Sequence, residues 1–525
     1  MLRPAVAGRR TPQLESREDP LRNGENLGAG LKRVGPAVLA LALAGCGSGT
    51  SRPPVDGSEK ASGPSVILTG DFPDPTIVRD GSTYYMTHSS FDRVPGLLIW
   101  QSNDLYNWQP LTYALRQHVG NVWAPDLAKH EDRFYLYFPA GGTNWVTTAA
   151  SPAGPWSEPV DLKVGGIDPG HIATPDGRRY LHLNAGRAVK LATDGLSVIG
   201  EPTKVYDGWE YPSEWVTECF CLESPKLLLH EGVYYLTSAQ GGTAGPSTSH
   251  MVVSARSESP LGPWADSPLN PIVRTWSRSE PWWSKGHGTI VEGPGSQWHI
   301  VYHGYENGYR TMGRQTLIEP VSWTDDGWFD IVWADGEEFE VHKVGNYRLQ
   351  PEAFDGPELS PQWHFDGIDS TDQYSLSDGA VEFEAGGDRL RVLHALASDH
   401  SYEAEVAIDI DGSPEVGFVL YYGRDAYAGI GLVDGQVALV KGGRPFLRDT
   451  LPCTDCRYFK ILMVEHDVAV FFSTDGSRWT QHPRGLEVSG FQTNNLGGFS
   501  SLKLGVYAKG SGTIRVDEFR YRAIE

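Results

Sequence analysis

The sequence predicts an all-β chain, with a five-bladed β-propeller over residues 64–349 followed by a β-sandwich over 352–525. Three observations carry that prediction. A strand–turn–strand pattern recurs five times, with starts 52, 42, 55 and 64 residues apart, close to the 40–50-residue period of four-stranded blades. Gly (61) and Pro (36) are frequent, and long helical periodicity is hard to find. Beyond Glu352, short apolar strands follow one another closely, as in a sandwich.

The clearest repeat is Gly70-Asp71-Phe72-Pro73-Asp74-Pro75, then Thr76 to Val78, the turn Asp80-Gly81, and Tyr84-Tyr85. Two prolines restrict the backbone around Asp74, and an Asp-Gly turn between apolar runs reads as a hairpin. Ala124-Pro125-Asp126, Ile167-Asp168-Pro169, Leu222-Glu223-Ser224-Pro225 and Gly286-His287-Gly288 open the other four repeats. In a propeller the innermost strand of each blade lines the axis. Asp74, Asp126, Asp168, Glu223 and His287 are therefore expected to converge there. Four carboxyls around one axis raise one another's pKa, a cost that points to chemical work.

Between these hairpins, Asn103 to Trp108, Ser151 to Trp156 and Ser259 to Trp264 read as turns whose tryptophans pack between blades. The formal charge of -22 argues against nucleic-acid binding, which needs a basic footprint.

Leu31-Lys32-Arg33, the apolar run 36–43 and Leu43-Ala44-Gly45-Cys46 resemble a lipoprotein signal, with Cys46 as the lipid-bearing residue. Residues 1–30 are unlike a signal, so translation is expected to start at Leu31. The run is too short to span a bilayer, so any membrane contact is through the anchor, and an exported bacterial protein on the cell surface or in the periplasm is expected. Residues 1–46 are thus extension and signal, and 47–63 a Gly/Ser/Pro linker. Cys219, Cys221, Cys453 and Cys456 are structural or free; Cys453 and Cys456 could close a loop.

The region 65–345 resembles glycoside hydrolase family 43. The matching text is Phe72-Pro73-Asp74-Pro75 with Arg79-Asp80-Gly81; Ser90-Phe91; Trp123-Ala124-Pro125-Asp126; Gly166-Ile167-Asp168; Glu223-Ser224-Pro225; Gly286-His287-Gly288; and Gly313-Arg314-Gln315. Ser224 replaces a commoner glycine. The resemblance implies a general base at Asp74, a general acid at Glu223 and a pKa-tuning carboxylate at Asp168. It also implies an Arg314 that contacts sugar hydroxyls and the catalytic carboxylates. Phe91 and Trp123 are candidate pocket walls. Asp126 is a pocket-floor residue or a brace for Trp123. His287 is placed opposite the acids, as a core histidine, a substrate contact or a ligand of a structural calcium; no cofactor is required. Trp282-Trp283 is a candidate extension of the sugar platform. Phe418 to Tyr422 and Phe472 to Trp479 look like the concanavalin-like module attached to such enzymes.

The expected activity is exo-cleavage of terminal β-1,4-xylosyl or α-L-arabinofuranosyl units from oligo- or polysaccharides, with inversion. The alternatives are an arabinan or galactan hydrolase, and a lipid-anchored sugar-binding propeller without activity.

Overall fold

The structure is a computed structural model that describes residues 63–332 and 345–524. The signal, Cys46 and linker readings fall outside these residues. Among the described residues, five antiparallel sheets form the blades. Their innermost strands are Thr76–Asp80, Asp126–His130, Gly170–Ala173, Glu223–His230 and Trp282–Glu292, which are the five repeats in order. Each pairs with the next strand as a hairpin. In the first blade Asp80 faces Thr83, and Gly81 supplies the positive φ of 62° that the turn requires.

The ring closes in two ways. Ser65–Leu68 pairs with Arg314–Trp323 and so joins the last blade to the start of the chain. Around the axis, each inner strand is tied to its neighbour by hydrogen bonds. Leu127 N donates to Thr76 Oγ1 (3.1 Å), His171 N to Asp126 Oδ2 (2.7 Å) and Ser224 N to Asp168 Oδ2 (3.1 Å). Thr237 Oγ1 donates to Gly288 O (2.8 Å) and Thr289 Oγ1 to Pro75 O (3.1 Å). A buried polar group left unpaired costs about 1–3 kcal/mol, so the first turn of every blade is held in register.

Aromatic side chains fill the spaces between blades. Trp100 and Trp108 are fully buried, and burying one such ring contributes about 3 kcal/mol.

The C-terminal region is a sandwich of a seven-stranded and an eight-stranded sheet. Its alternating residues, among them Phe418, Leu420, Ile461, Val470 and Val506, form one core. Leu349, which the sequence reading gave to the propeller, packs in that core. The sandwich is bound to the first and last blades. Val94 pairs with Phe365, Leu502 N donates to Thr311 O (2.9 Å), and Tyr309 stacks on His400 at 3.6 Å. Cys219 is bonded to Cys221 and Cys453 to Cys456.

Candidate active site

Three of the four predicted acids meet at the axis, and they meet around His287. Its Nδ1 lies 3.3 Å from Asp74 Oδ1, and its Nε2 lies 3.5 Å from Glu223 Oε1 and 3.8 Å from Asp168 Oδ2. His287 therefore sits among the acids and not opposite them. Asp74, Asp168, Ser224 and His287 all have φ between 51° and 58°. Non-glycine residues rarely adopt that conformation, and it clusters at functional sites. Three blades thus turn Asp74, Asp168 and His287 inward at the cost of local strain, and the fourth carries it at Ser224, next to Glu223. Gly286 permits the next contact: a Cβ there would lie 1.4 Å from the His250 ring.

The electrostatics separate the carboxyls. Asp74 is buried, which alone would raise its pKa, but Arg314, His287 and His303 together hold it well below the usual range. Arg314 Nη1 donates to Asp74 Oδ1 at 2.8 Å, and Ser89 Oγ donates to Oδ2. Asp71 accepts from Arg314 N (3.1 Å) and so fixes the strand that carries the guanidinium. Burial raises Asp168 to about 7; the nearby Glu223 and Asp74 charges add to this, and His287 opposes it. The elevated carboxyl is thus Asp168, which is buried, whereas the Glu223 side chain keeps 19% of its exposure. Burial opposes the charge on His287, yet the three acids raise its pKa. Burial pushes His303 down to about 3, leaving it neutral.

Asp126 is a brace. Lys226 Nζ donates to its Oδ1 (2.9 Å), Thr76 Oγ1 approaches the same oxygen (3.4 Å) and His171 N takes Oδ2. With both oxygens engaged and its charge paired, it serves the ring and not a sugar. Trp123 is 41% exposed and sits one residue before Ala124, whose N–H donates to Ser89 Oγ. Its exposed ring thus leaves the chain one residue from the partner of the Ser89 hydroxyl that contacts Asp74. Phe91 is half-buried under the Arg93 guanidinium, 5.4 Å from its ring centre.

Sequence reasoning missed His250, His303, Ser89 and Phe499. The Arg314 guanidinium lies 5.6 Å from the ring centre of Phe499, so the sandwich reaches the site. Asp74, His287 and His303 bring ligand atoms within 4.8 Å of one another, as do Glu223, His250 and His287. Each trio offers two imidazoles and one carboxylate. Calcium takes six to eight oxygens, so this donor set does not fit it.

Ser224 is strained at φ 51°, and its hydroxyl is buried without a partner among the described residues. Ser224→Gly keeps the N–H bond to Asp168 and removes both penalties. Set against the added unfolded-state entropy, a gain of about 1 kcal/mol is expected, read as a higher thermal midpoint. A lower midpoint would mean that the hydroxyl is satisfied.

A family profile, Glycosyl hydrolases family 43, matches residues 64–329, and a second, Beta xylosidase C-terminal Concanavalin A-like domain, matches 352–522. A xylan 1,3-beta-xylosidase of Vibrio sp is 32% identical over 309 residues, covering 50% of this chain and 56% of that protein. The non-reducing end alpha-L-arabinofuranosidase BoGH43B of Bacteroides ovatus is 27% identical over 526 residues, covering 87% of this chain and 94% of that one. The crystal structure of BlXynB from Bacillus licheniformis superposes with a TM-score of 0.75 at 25% identity, over 88% of this chain and 100% of that one.

Proposed function

The chain belongs to glycosyl hydrolase family 43, and from that premise we propose that it removes terminal pentose units, β-xylosyl or α-L-arabinofuranosyl, from oligosaccharides with inversion. The carrying observation is that one imidazole holds Asp74 on one nitrogen and Glu223 with Asp168 on the other. Inverting hydrolysis needs a base and an acid far enough apart, about 6.5–9.5 Å, for a water to enter. Carboxyls placed across the width of a ring suit that better than the ~5 Å gap of a retaining pair.

Asp74, kept ionised by Arg314 and His287, takes the proton of the attacking water. Glu223, the more exposed acid, gives a proton to the leaving oxygen on the open side. Asp168, raised by burial and by the nearby Glu223 and Asp74 charges, is the carboxyl here that holds a proton near neutral pH. His287 and Arg314 balance the negative charge, and Arg314 also offers N–H groups to sugar hydroxyls. Trp123 offers a face to the sugar ring.

Turnover of p-nitrophenyl β-D-xyloside and α-L-arabinofuranoside tests the reading. Hydrolysis of either supports it. No turnover of these, nor of arabinan or galactan, would favour a sugar-binding propeller. The arabinofuranoside belongs in the test because the relative matched over nearly its whole length carries that name.

The pH dependence follows from Asp168, whose folded pKa of about 7 exceeds its ordinary 3.8. Below about 7 Asp168 keeps a proton and adds no negative charge beside Glu223; above it that proton is lost. Asp74 stays charged into acid because its pKa is lowered. A kcat/KM that is flat through mildly acidic pH and falls above about 7 is therefore expected. An alkaline optimum would contradict this assignment.

We further propose that residues 31–46 direct export and lipid attachment at Cys46, on the sequence pattern alone.

A further inference from the structure

A cavity of about 600 Å³ lies where the propeller meets the sandwich. Thr248 and Trp283 line it from the propeller. They lie two residues before His250 and four before His287, so the segments that wall the cavity also carry two histidines of the axial site. Ser284 N donates to Ser247 O (2.8 Å), closing the two loops against each other. The sandwich supplies the amides of Gln492 and Asn495. Between them Thr493 meets the Tyr305 hydroxyl at 3.4 Å, which holds this loop on the last blade.

The charge of the cavity is opposite to that of the chain. The chain carries -22, yet among the described residues no Asp or Glu lines the cavity, while Arg278 and Arg310 do. Among the described residues, neither guanidinium is ion-paired with a carboxylate. The Arg310 guanidinium lies 5.3 Å from the Trp283 ring centre and 5.2 Å from that of Tyr305. The rings hold its planar group while its N–H edges remain available. A guanidinium fork matches a carboxylate in two parallel hydrogen bonds, and neighbouring amides can donate to and accept from hydroxyls. Glu223 is the least buried of the three acids, and Thr248 belongs to the loop that leads to His250 beside it. The cavity is therefore on the leaving-group side.

We infer that this cavity binds a carboxylate-bearing sugar, a uronic acid unit, on an oligosaccharide whose terminal pentose occupies the axial site. The inference rests on the hydrolase reading for the direction of the chain, but its test is a binding measurement. Calorimetric titration of a Glu223→Gln variant with a linear xylo-oligosaccharide, and with the same oligosaccharide bearing one glucuronosyl group, compares the two ligands without turnover. The acidic ligand should bind about tenfold more tightly, the gain expected of one charge-assisted pair at this depth. The difference should shrink at about 1 M salt and vanish in Arg278→Gln/Arg310→Gln. Binding of the neutral ligand to that variant reports that it is folded. Equal affinities, no binding of either ligand, or a difference that survives the double substitution would overturn the assignment. Failure to hydrolyse any glycoside would sink the hydrolase reading instead and leave the affinity difference intact.

Discussion

Glu223→Gln lowers kcat on xylo-oligosaccharides by about 10³-fold, within the range that general acid catalysis supplies, and lowers it far less on p-nitrophenyl glycosides. The contrast follows from the leaving group. A sugar alkoxide is too basic to depart without a proton, whereas p-nitrophenolate departs nearly unaided. Glutamine keeps the size of the side chain and can still face His287 Nε2, 3.5 Å away in the parent structure, so binding should change little. The measurement is the ratio of the two losses. Equal losses on both substrates would mean that Glu223 does something other than protonate the departing oxygen.

Asp74→Asn has the complementary signature. Water must be activated whatever leaves, so kcat/KM should fall about 10⁴-fold on both substrate types. This substitution also strips the paired charge from Arg314, 2.8 Å away, and from His287. Breaking a buried pair from one side costs about 3–5 kcal/mol, so a lower thermal midpoint accompanies the loss. Glu223→Gln, at a less buried position and, among the described residues, with no arginine on its carboxyl, should show no comparable drop. A full-strength effect on the oligosaccharide with little effect on the activated glycoside would remove Asp74 from the base role.

Much of this site was legible in the sequence because strand starts carry it. A repeat that opens each inner strand must deliver its first polar residue to the axis, so Asp74, Asp168, Glu223 and His287 could be placed together before any coordinates. The same rule overreached at Asp126. Its position is equivalent, but Lys226, a residue inside the inner strand of the fourth blade, reaches past the third blade to neutralise it, and no local pattern reveals a cross-blade partner. His287 was put on the wrong side of the acids, since order around a ring does not say how far each side chain extends. His303 sits on the second strand of the last blade, Trp298–Glu306, and His250 just before the third strand of its own, Met251–Ser257, with only the small residue Gly286 hinting that a ring must pass close by. Phe499 lies in the other domain, and its approach to Arg314 depends on docking. The Gly497-Gly498 pair before it and its own φ of 50° mark a tight loop but not its destination. The sandwich itself was visible from its strand spacing, whereas the packing of Leu349 and of the first-blade Val94 in its core depends on docking.

Proton NMR of the sugar first released, taken before mutarotation, is the most direct test of two carboxyls working across a water. If Asp74 activates that water while Glu223 protonates the leaving oxygen, the new anomer has the configuration opposite to the bond that was cleaved. Release of the same configuration would mean a covalent intermediate on the enzyme, and the division of labour assigned to Asp74 and Glu223 would be wrong.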